Sequence, residues 1–378
     1  MEENDQQGFG WQSSLTHQIN ESLSLAVGLD GDWSTGNLLQ VQESPTQGSN
    51  FLTATIPVGV HYDYTVDAQQ IAVFTQATWD VSDQWQVIAG LRGERLDYDY
   101  DNLSLDGRTK DDGTACGFGG CRYSRPADRR DAFTDWSPKL QIKHTINDHW
   151  LWYIAGSASA RAPQATELYR LQREQVVADL DSETADNIEA GIEYVSKPFN
   201  LSLAAYRLTV DNVIIRDADF FNIDGNRTQS TGIEFNAAWT LNNQWALNIA
   251  GTYAEHRYAS DEILDGININ GLLVDTAPKT AGSIWVRYQP TERLSISAQV
   301  QHLGRYYLEP TNSFEYPGHD LLNFYARYQL NDVWTLSTRL LNALDTTYAE
   351  RADYTSFSSE RYFPGEPRSM FVSLRRDF

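Results

Sequence analysis

Arginine, tyrosine and a few polar partners gather at three places in the sequence. These are His61, Tyr62 and Tyr64; then Arg122, Tyr123 and Arg125; then Arg161, Tyr169, Arg170, Gln172 and Arg173. A guanidinium offers planar donors that match a carboxylate two at a time, and a phenol ring stacks on flat groups. Such company suits the binding of a flat anion better than the making of covalent bonds. For any one of these residues, an ion pair within a loop or a packed ring is the plainer role. Motifs for bond-making chemistry are missing: there is no Gly-x-Ser-x-Gly, no His-Glu-x-x-His and no phosphate loop, and Gly117 to Gly120 opens no helix. Neither an enzyme nor a bound cofactor is expected.

Cys116 and Cys121 are the only cysteines, and the Cys-Gly-Phe-Gly-Gly-Cys spacing is one a small disulfide loop closes in an oxidising compartment. A zinc site would need two more ligands, and no histidine lies nearby. The run Asp97, Asp99 and Asp101, with Asp106, Asp111 and Asp112, has oxygens for a hard cation, but solvated loop acidity is the reading preferred and no metal is expected. Lys plus Arg number 29 against 51 for Asp plus Glu, a net charge of -22 that repels phosphate backbones and speaks against nucleic acid. Met1 to Phe9 lacks the basic start and apolar core of a signal peptide, so either export information lies elsewhere or the chain is cytosolic.

The elements that must position these residues are strands. Apolar and polar residues alternate along Leu294, Ile296, Ala298 and Val300, along Ile233, Phe235, Ala237 and Trp239, and along Leu322, Phe324, Ala326 and Tyr328. About fifteen such segments are expected, near 10–19, 22–33, 67–81, 84–100, 132–145, 149–161, 184–195, 200–216, 228–240, 245–257, 277–289, 293–306, 319–330, 333–343 and 367–378. Short turns alternate strictly with long connections. Seven of the 11 Trp (Trp79, Trp85, Trp150, Trp152, Trp239, Trp245 and Trp334) fall beside a short turn. Turns at one end, loops at the other and an aromatic belt at the turn end predict an antiparallel transmembrane β-barrel. Beyond Gly93 the apolar parity fails, which predicts that this strand leaves the hydrocarbon band there as an exposed ribbon, through a bulge if the register shifts.

The C-terminal part carries a resemblance. Leu341-Asn342-Ala343-Leu344-Asp345, then Tyr362-Phe363-Pro364-Gly365-Glu366-Pro367-Arg368 and a final strand ending in Phe378, resembles the closing segment of TonB-dependent outer-membrane receptors. Arg161-Ala162-Pro163, Glu167-Leu168-Tyr169, Glu183-Thr184 and Ala277-Pro278-Lys279 are further matches, so that the resemblance covers residues 150 to 378. That family's barrel has about 22 strands around a plug domain. The resemblance therefore implies about 15 strands of a barrel of about 22, strands 8 to 22, with the plug and the TonB-contacting region outside the chain. Residues 1–378 would form one partial barrel with extracellular loops near 34–66, 101–131, 162–183, 217–227, 258–276, 307–318 and 344–366. It implies TonB-energised uptake of a scarce solute, most readily a ferric siderophore-type chelate, across the outer membrane of a Gram-negative bacterium. Expected partners are outer-membrane lipid, the TonB complex through the missing N-terminal region, an extracellular iron chelate, and the barrel assembly machinery, which would read Phe378 as its C-terminal signal. Haem is demoted because residues 164 to 183 contain no His. The alternatives are a passive porin-like channel and, third, a soluble β-rich binding protein.

Overall fold

A computed structural model describes residues 1–216, 220–264, 266–355 and 359–377. Phe378 and residues 217–219 of one expected loop lie outside the described residues. Fifteen strands form one antiparallel sheet in chain order. They are β1 (Glu2–Asn20), β2 (Leu23–Gln42), β3 (Gly59–Ser82), β4 (Trp85–Asn102), β5 (Arg129–Thr145), β6 (Trp150–Arg161), β7 (Glu183–Ser196), β8 (Phe199–Arg216), β9 (Asn222–Thr240), β10 (Trp245–Tyr258), β11 (Thr280–Thr291), β12 (Leu294–Leu303), β13 (His319–Gln329), β14 (Trp334–Leu341) and β15 (Ser369–Arg376). Each of the fifteen expected segments falls on one of these strands, and β1 and β15 are the outer members of the sheet.

Register assigns the two faces. Leu15, Val27, Thr75 and Leu91 stand side by side, as do Ser14, Gly28, Phe74 and Arg92 one residue along. The first row belongs to a broad apolar face on which Leu15 is 67% exposed and Val73, Ile233 and Phe324 are also bare. That much uncovered apolar surface suits hydrocarbon, not water. The opposite face is polar: Arg92 donates to Asp30 at 2.6 and 3.0 Å and to Glu94 at 2.9 Å. Loops fold over this polar face, which makes it the lumen wall.

At the turn end the outward rings touch in a belt. Trp85 stacks on His144 at 4.2 Å and meets Trp152 edge-on at 5.5 Å, Trp150 lies 4.7 Å from Tyr194, and Trp245 stacks on Tyr288 at 4.3 Å. At the other end the ribbon β2–β5 continues past the apolar band, but without the bulge that the lost parity raised. Pairing runs unbroken from Tyr64–Asn102 to Asp80–Gln86 and from Trp85–His144 to Tyr100–Arg129. What changes is chemistry on a constant face. Gly93 is overlain by Trp136, whose indole would lie 2.7 Å from an added Cβ, and the next outward residues are charged. There Arg95 pairs with Asp97 and Arg130 with Asp99, each at 2.7 Å.

Tall strands shorten the expected loops. The connection placed at 34–66 narrows to residues 43–58, because β2 runs to Gln42 and β3 starts at Gly59. It holds a one-turn helix, α1 (Asn50–Thr55), whose Leu52 amide is capped by the Ser49 hydroxyl.

Candidate functional site

The three Arg/Tyr groups come together at the loop end, where the connections 103–128 and 162–182 fold onto the inner face of β2–β4. Inward positions of the ribbon supply Leu38, Tyr62, Tyr64, Val66 and Tyr100, and the loops supply Cys116, Cys121, Tyr123, Leu168, Tyr169 and Leu171 as one buried cluster. Alternation explains the choice: Tyr98 and Tyr100 share the inward parity of Tyr62 and Tyr64, while the aspartates between them point out.

The descending loop begins at Arg161, which bonds Glu183 at 2.8 Å and Glu167 at 3.0 Å. Glu167 in turn accepts from the Gln164 amide at 2.7 Å, closing a capping box at the start of α2 (Ala165–Tyr169). Tyr169 at its end is wholly buried, stacked on Tyr100 at 4.3 Å and donating to Asp131 at 2.7 Å. Burial and the Asp131 carboxylate push its phenol well above the usual range. Arg170 reaches across to Glu2 on β1 at 2.6 Å and lies over the Tyr62 ring. Leu171–Gln172 pairs with Tyr123–Ser124 as a two-residue ladder, joining the two loops. The Tyr62 hydroxyl donates to the Leu171 carbonyl.

Cys116 and Cys121 are disulfide-bonded, with Cα atoms 4.9 Å apart. Beside them Arg122 and Arg173 both face the Phe220 ring, at 5.2 and 4.2 Å. Burial, helped by the neighbouring Arg173 charge, holds the Arg122 guanidinium below its usual range. His61, at the outer end of β3 clear of the apolar band, stacks on Tyr123 at 4.4 Å, and its Nε2 lies 2.7 Å from the Pro57 carbonyl. A small cavity of 120 Å³ opens among Gln40, Ile56, His61, Tyr62, Arg122, Tyr123 and Gln172.

Five residues singled out in the sequence thus line one cavity: His61, Tyr62, Arg122, Tyr123 and Gln172. The other six do not line it: Tyr64 and Tyr169 are packed inside the cluster, Arg161 and Arg170 make ion pairs, Arg125 is buried in loop 103–128, and Arg173 lies over the Phe220 ring. Sequence reasoning missed Gln40, Tyr100, Asp131 and Phe220. For Tyr100 the signal was present, since its parity matches that of Tyr62 and Tyr64; nothing local marked the other three. Of the acidic run, Asp97 and Asp99 are in ion pairs, and Asp112 accepts from the Thr114 amide at 2.9 Å. Among the described residues, no group of three or more His, Cys, Asp or Glu is placed to hold a metal ion.

A wide antiparallel wall with an aromatic belt at its turn end and long, inward-folded loops defines a transmembrane β-barrel of the outer-membrane type. The family model described as TonB dependent receptor-like, beta-barrel matches residues 2–343, and the chain belongs to that family. It is 19% identical over 394 residues to the catecholate siderophore receptor Fiu of Escherichia coli K12, covering 96% of this chain and 51% of that receptor. It is 23% identical over 206 residues to the ferrioxamine receptor of Yersinia enterocolitica, covering 52% and 28%. Among solved structures, the ferric yersiniabactin uptake receptor FyuA from Yersinia pestis superposes with a TM-score of 0.77 at 17% identity, covering 100% of this chain and 55% of that one. The closed form of Fiu gives 0.78 at 16% identity, covering 100% and 55%. Likeness at this identity speaks for the fold alone. The chain spans about half the length of the curated Fiu receptors it matches.

Proposed function

We propose that this chain is a fifteen-strand portion of a larger outer-membrane receptor barrel that takes up a ferric siderophore-type chelate, with TonB coupling supplied by a region outside these residues. The observation that carries the reading is the loop-end cavity, where Arg122 and the rings of His61, Tyr62 and Tyr123 line 120 Å³, room for one arm of a chelate rather than the whole of it. A guanidinium next to stacked rings complements an anionic chelate that presents a flat group on one of its arms. The relatives support the class of ligand, since they are named as receptors for a catecholate siderophore, for ferrioxamine and for ferric yersiniabactin. In the proposed frame, β1 and β15 pair with strands outside the chain, the belt of Trp85, Trp152, Trp150 and Trp245 sits at the periplasmic interface, and loops 103–128 and 162–182 face the medium. This also accounts for the ion-paired ribbon above the apolar band.

The test is growth under iron limitation in a Gram-negative strain stripped of its own siderophore receptors and carrying the whole receptor. Ferric catecholate, ferric hydroxamate and a mixed-donor chelate are supplied separately. At least one should restore growth in a TonB-dependent way, and Arg122→Ala should weaken binding of that chelate to the purified receptor. Growth restored equally without TonB would favour a passive porin-like channel. Failure with every chelate would overturn the siderophore reading.

A further inference from the structure

Arg125 is 1% exposed, yet among the described residues no acid forms an ion pair with it. Its Nη2 donates to the carbonyl and hydroxyl of Thr109 at 2.7 and 3.1 Å, both of them neutral groups. Its Nε and Nη1 are buried without any hydrogen-bond partner, as are the hydroxyls of Tyr123 and Ser124 just before it in the chain. Two arginines of this region are neutralised directly: Arg108 by Glu174, and Arg129 by Asp131. The four acids of the same loop have other partners, Asp112 accepting from the Thr114 amide at 2.9 Å. Asp111 lies against the Val60 amide at 3.5 Å, Asp106 accepts from Asn102 Nδ2 at 2.9 Å, and Asp128 accepts from the Asn102 amide at 2.9 Å.

A guanidinium does not shed its proton at any pH a protein survives, so neutralisation by titration is closed to it. The Tyr123 ring, 5.3 Å from the guanidinium carbon, offers a cation–π contact. Such a contact softens the charge but leaves the N–H bonds without acceptors. The unmatched nitrogens can only donate: three N–H bonds on Nε and Nη1. Only a species that accepts from several donors and carries negative charge meets both deficits at once. Enclosure limits its size, because the orphaned nitrogens have no exposed surface through which part of a larger molecule could reach them.

We propose that loop 103–128 binds a small monovalent inorganic anion of the chloride class at Arg125, as a structural ligand of the loop body. The ion's place is at the centre of the loop's own ladder. Arg125 exchanges backbone hydrogen bonds with Gly107 at 2.8 and 3.2 Å, and the Cys121 amide donates to the Arg108 carbonyl at 3.0 Å. Neutralising Arg125 therefore stabilises the segment that carries the disulfide and one side of the candidate cavity. The proposal is independent of which solute the receptor takes up.

Backbone hydrogen exchange across residues 107–125, followed by mass spectrometry on the whole receptor in detergent, tests this. Sodium chloride is compared with sodium gluconate at equal ionic strength. At chloride ten times above its dissociation constant, exchange should be about tenfold slower than in gluconate. Bromide should reproduce the protection, and Arg125→Met should abolish the difference between salts. Identical exchange of the unaltered protein in both salts would overturn the proposal without recourse to any variant. So would an equal salt response in Arg125→Met. A chloride response that arises only in Asp111→Asn would assign the counter-charge to Asp111, and would overturn it too.

Discussion

Placing an arginine at Ala298 tests the assignment of faces most sharply. Ala298 points outward between Val286 on β11 and Phe324 on β13. It stands four residues above Leu294, where β12 leaves its turn. Four residues span about 13 Å along a strand. At a tilt of about 40° that is roughly 10 Å above the turn-end belt, close to the middle of an apolar band about 25 Å tall. Ala298→Arg should therefore cost about 2–4 kcal/mol. That range is roughly a 30-fold to several-hundred-fold shift in the folding equilibrium. The control is Asn236→Arg, on the lumen wall opposite Ser202 and Ala250, with Glu193 opposite that same Ser202 on its other side. It should cost no more than about 0.5 kcal/mol. Ser297, though inward, makes a poorer control because it is buried and directly opposite Arg287 and Tyr325. Urea unfolding of the receptor in phospholipid vesicles, read by tryptophan fluorescence and by gel mobility, gives both values. Equal costs on the two faces would refute the assignment.

The remaining expectations concern the loops. Without reductant, maleimide should label neither Cys116 nor Cys121 in receptor recovered from membranes; adducts at both would contradict the bonded pair. Tyr169→Phe removes a hydrogen bond to the Asp131 carboxylate and should lower the local stability of residues 165–172 by about 1.5–3 kcal/mol. Unchanged hydrogen exchange in that segment would disprove the role given to the phenol. Burial holds His61 below its ordinary pKa, so its neutral form is favoured in the folded loop. The stability linked to it is present above the unfolded value of about 6.5 and is lost as pH falls below that value. Protection of the amides around His61 and Tyr123, measured relative to the intrinsic exchange rate at each pH, should fall on acidification through that range and should fall much less in His61→Phe; protection that is independent of pH in the unaltered protein would count against it.

Within the bilayer the sequence is easy to read, because one physical cause acts on every second residue. Hydrocarbon on one side and a polar lumen on the other force the alternation seen at Ile233, Phe235 and Ala237, and each of the fifteen expected segments lies on a strand of the sheet. Above the band that cause disappears. Outward positions there carry Arg95, Asp97 and Asp99, inward ones Tyr98 and Tyr100, and the inversion resembles lost parity although the register never slips. Ribbon and loop were therefore confused at 34–66. The Arg/Tyr groups were visible as residue types, but which of them line a cavity and which are buried depends on how loops from distant strands fold together. Arg125 and Arg122 look alike in sequence; only the fold buries one and sets the other at a cavity.

The ion pair between Arg170 and Glu2 joins residues 168 positions apart. A contact of that span waits on everything between its ends, since closing a loop costs entropy that local contacts must already have offset. Strands β1 to β6 must be paired and bent before Arg170 is brought within reach of Glu2, and the ladder between Tyr123–Ser124 and Leu171–Gln172 needs both loops present. On that ground the mouth is expected to form after the wall. A chain halted midway through assembly would then already have its paired sheet, while residues 103–128 and 162–182 were still open to proteolysis.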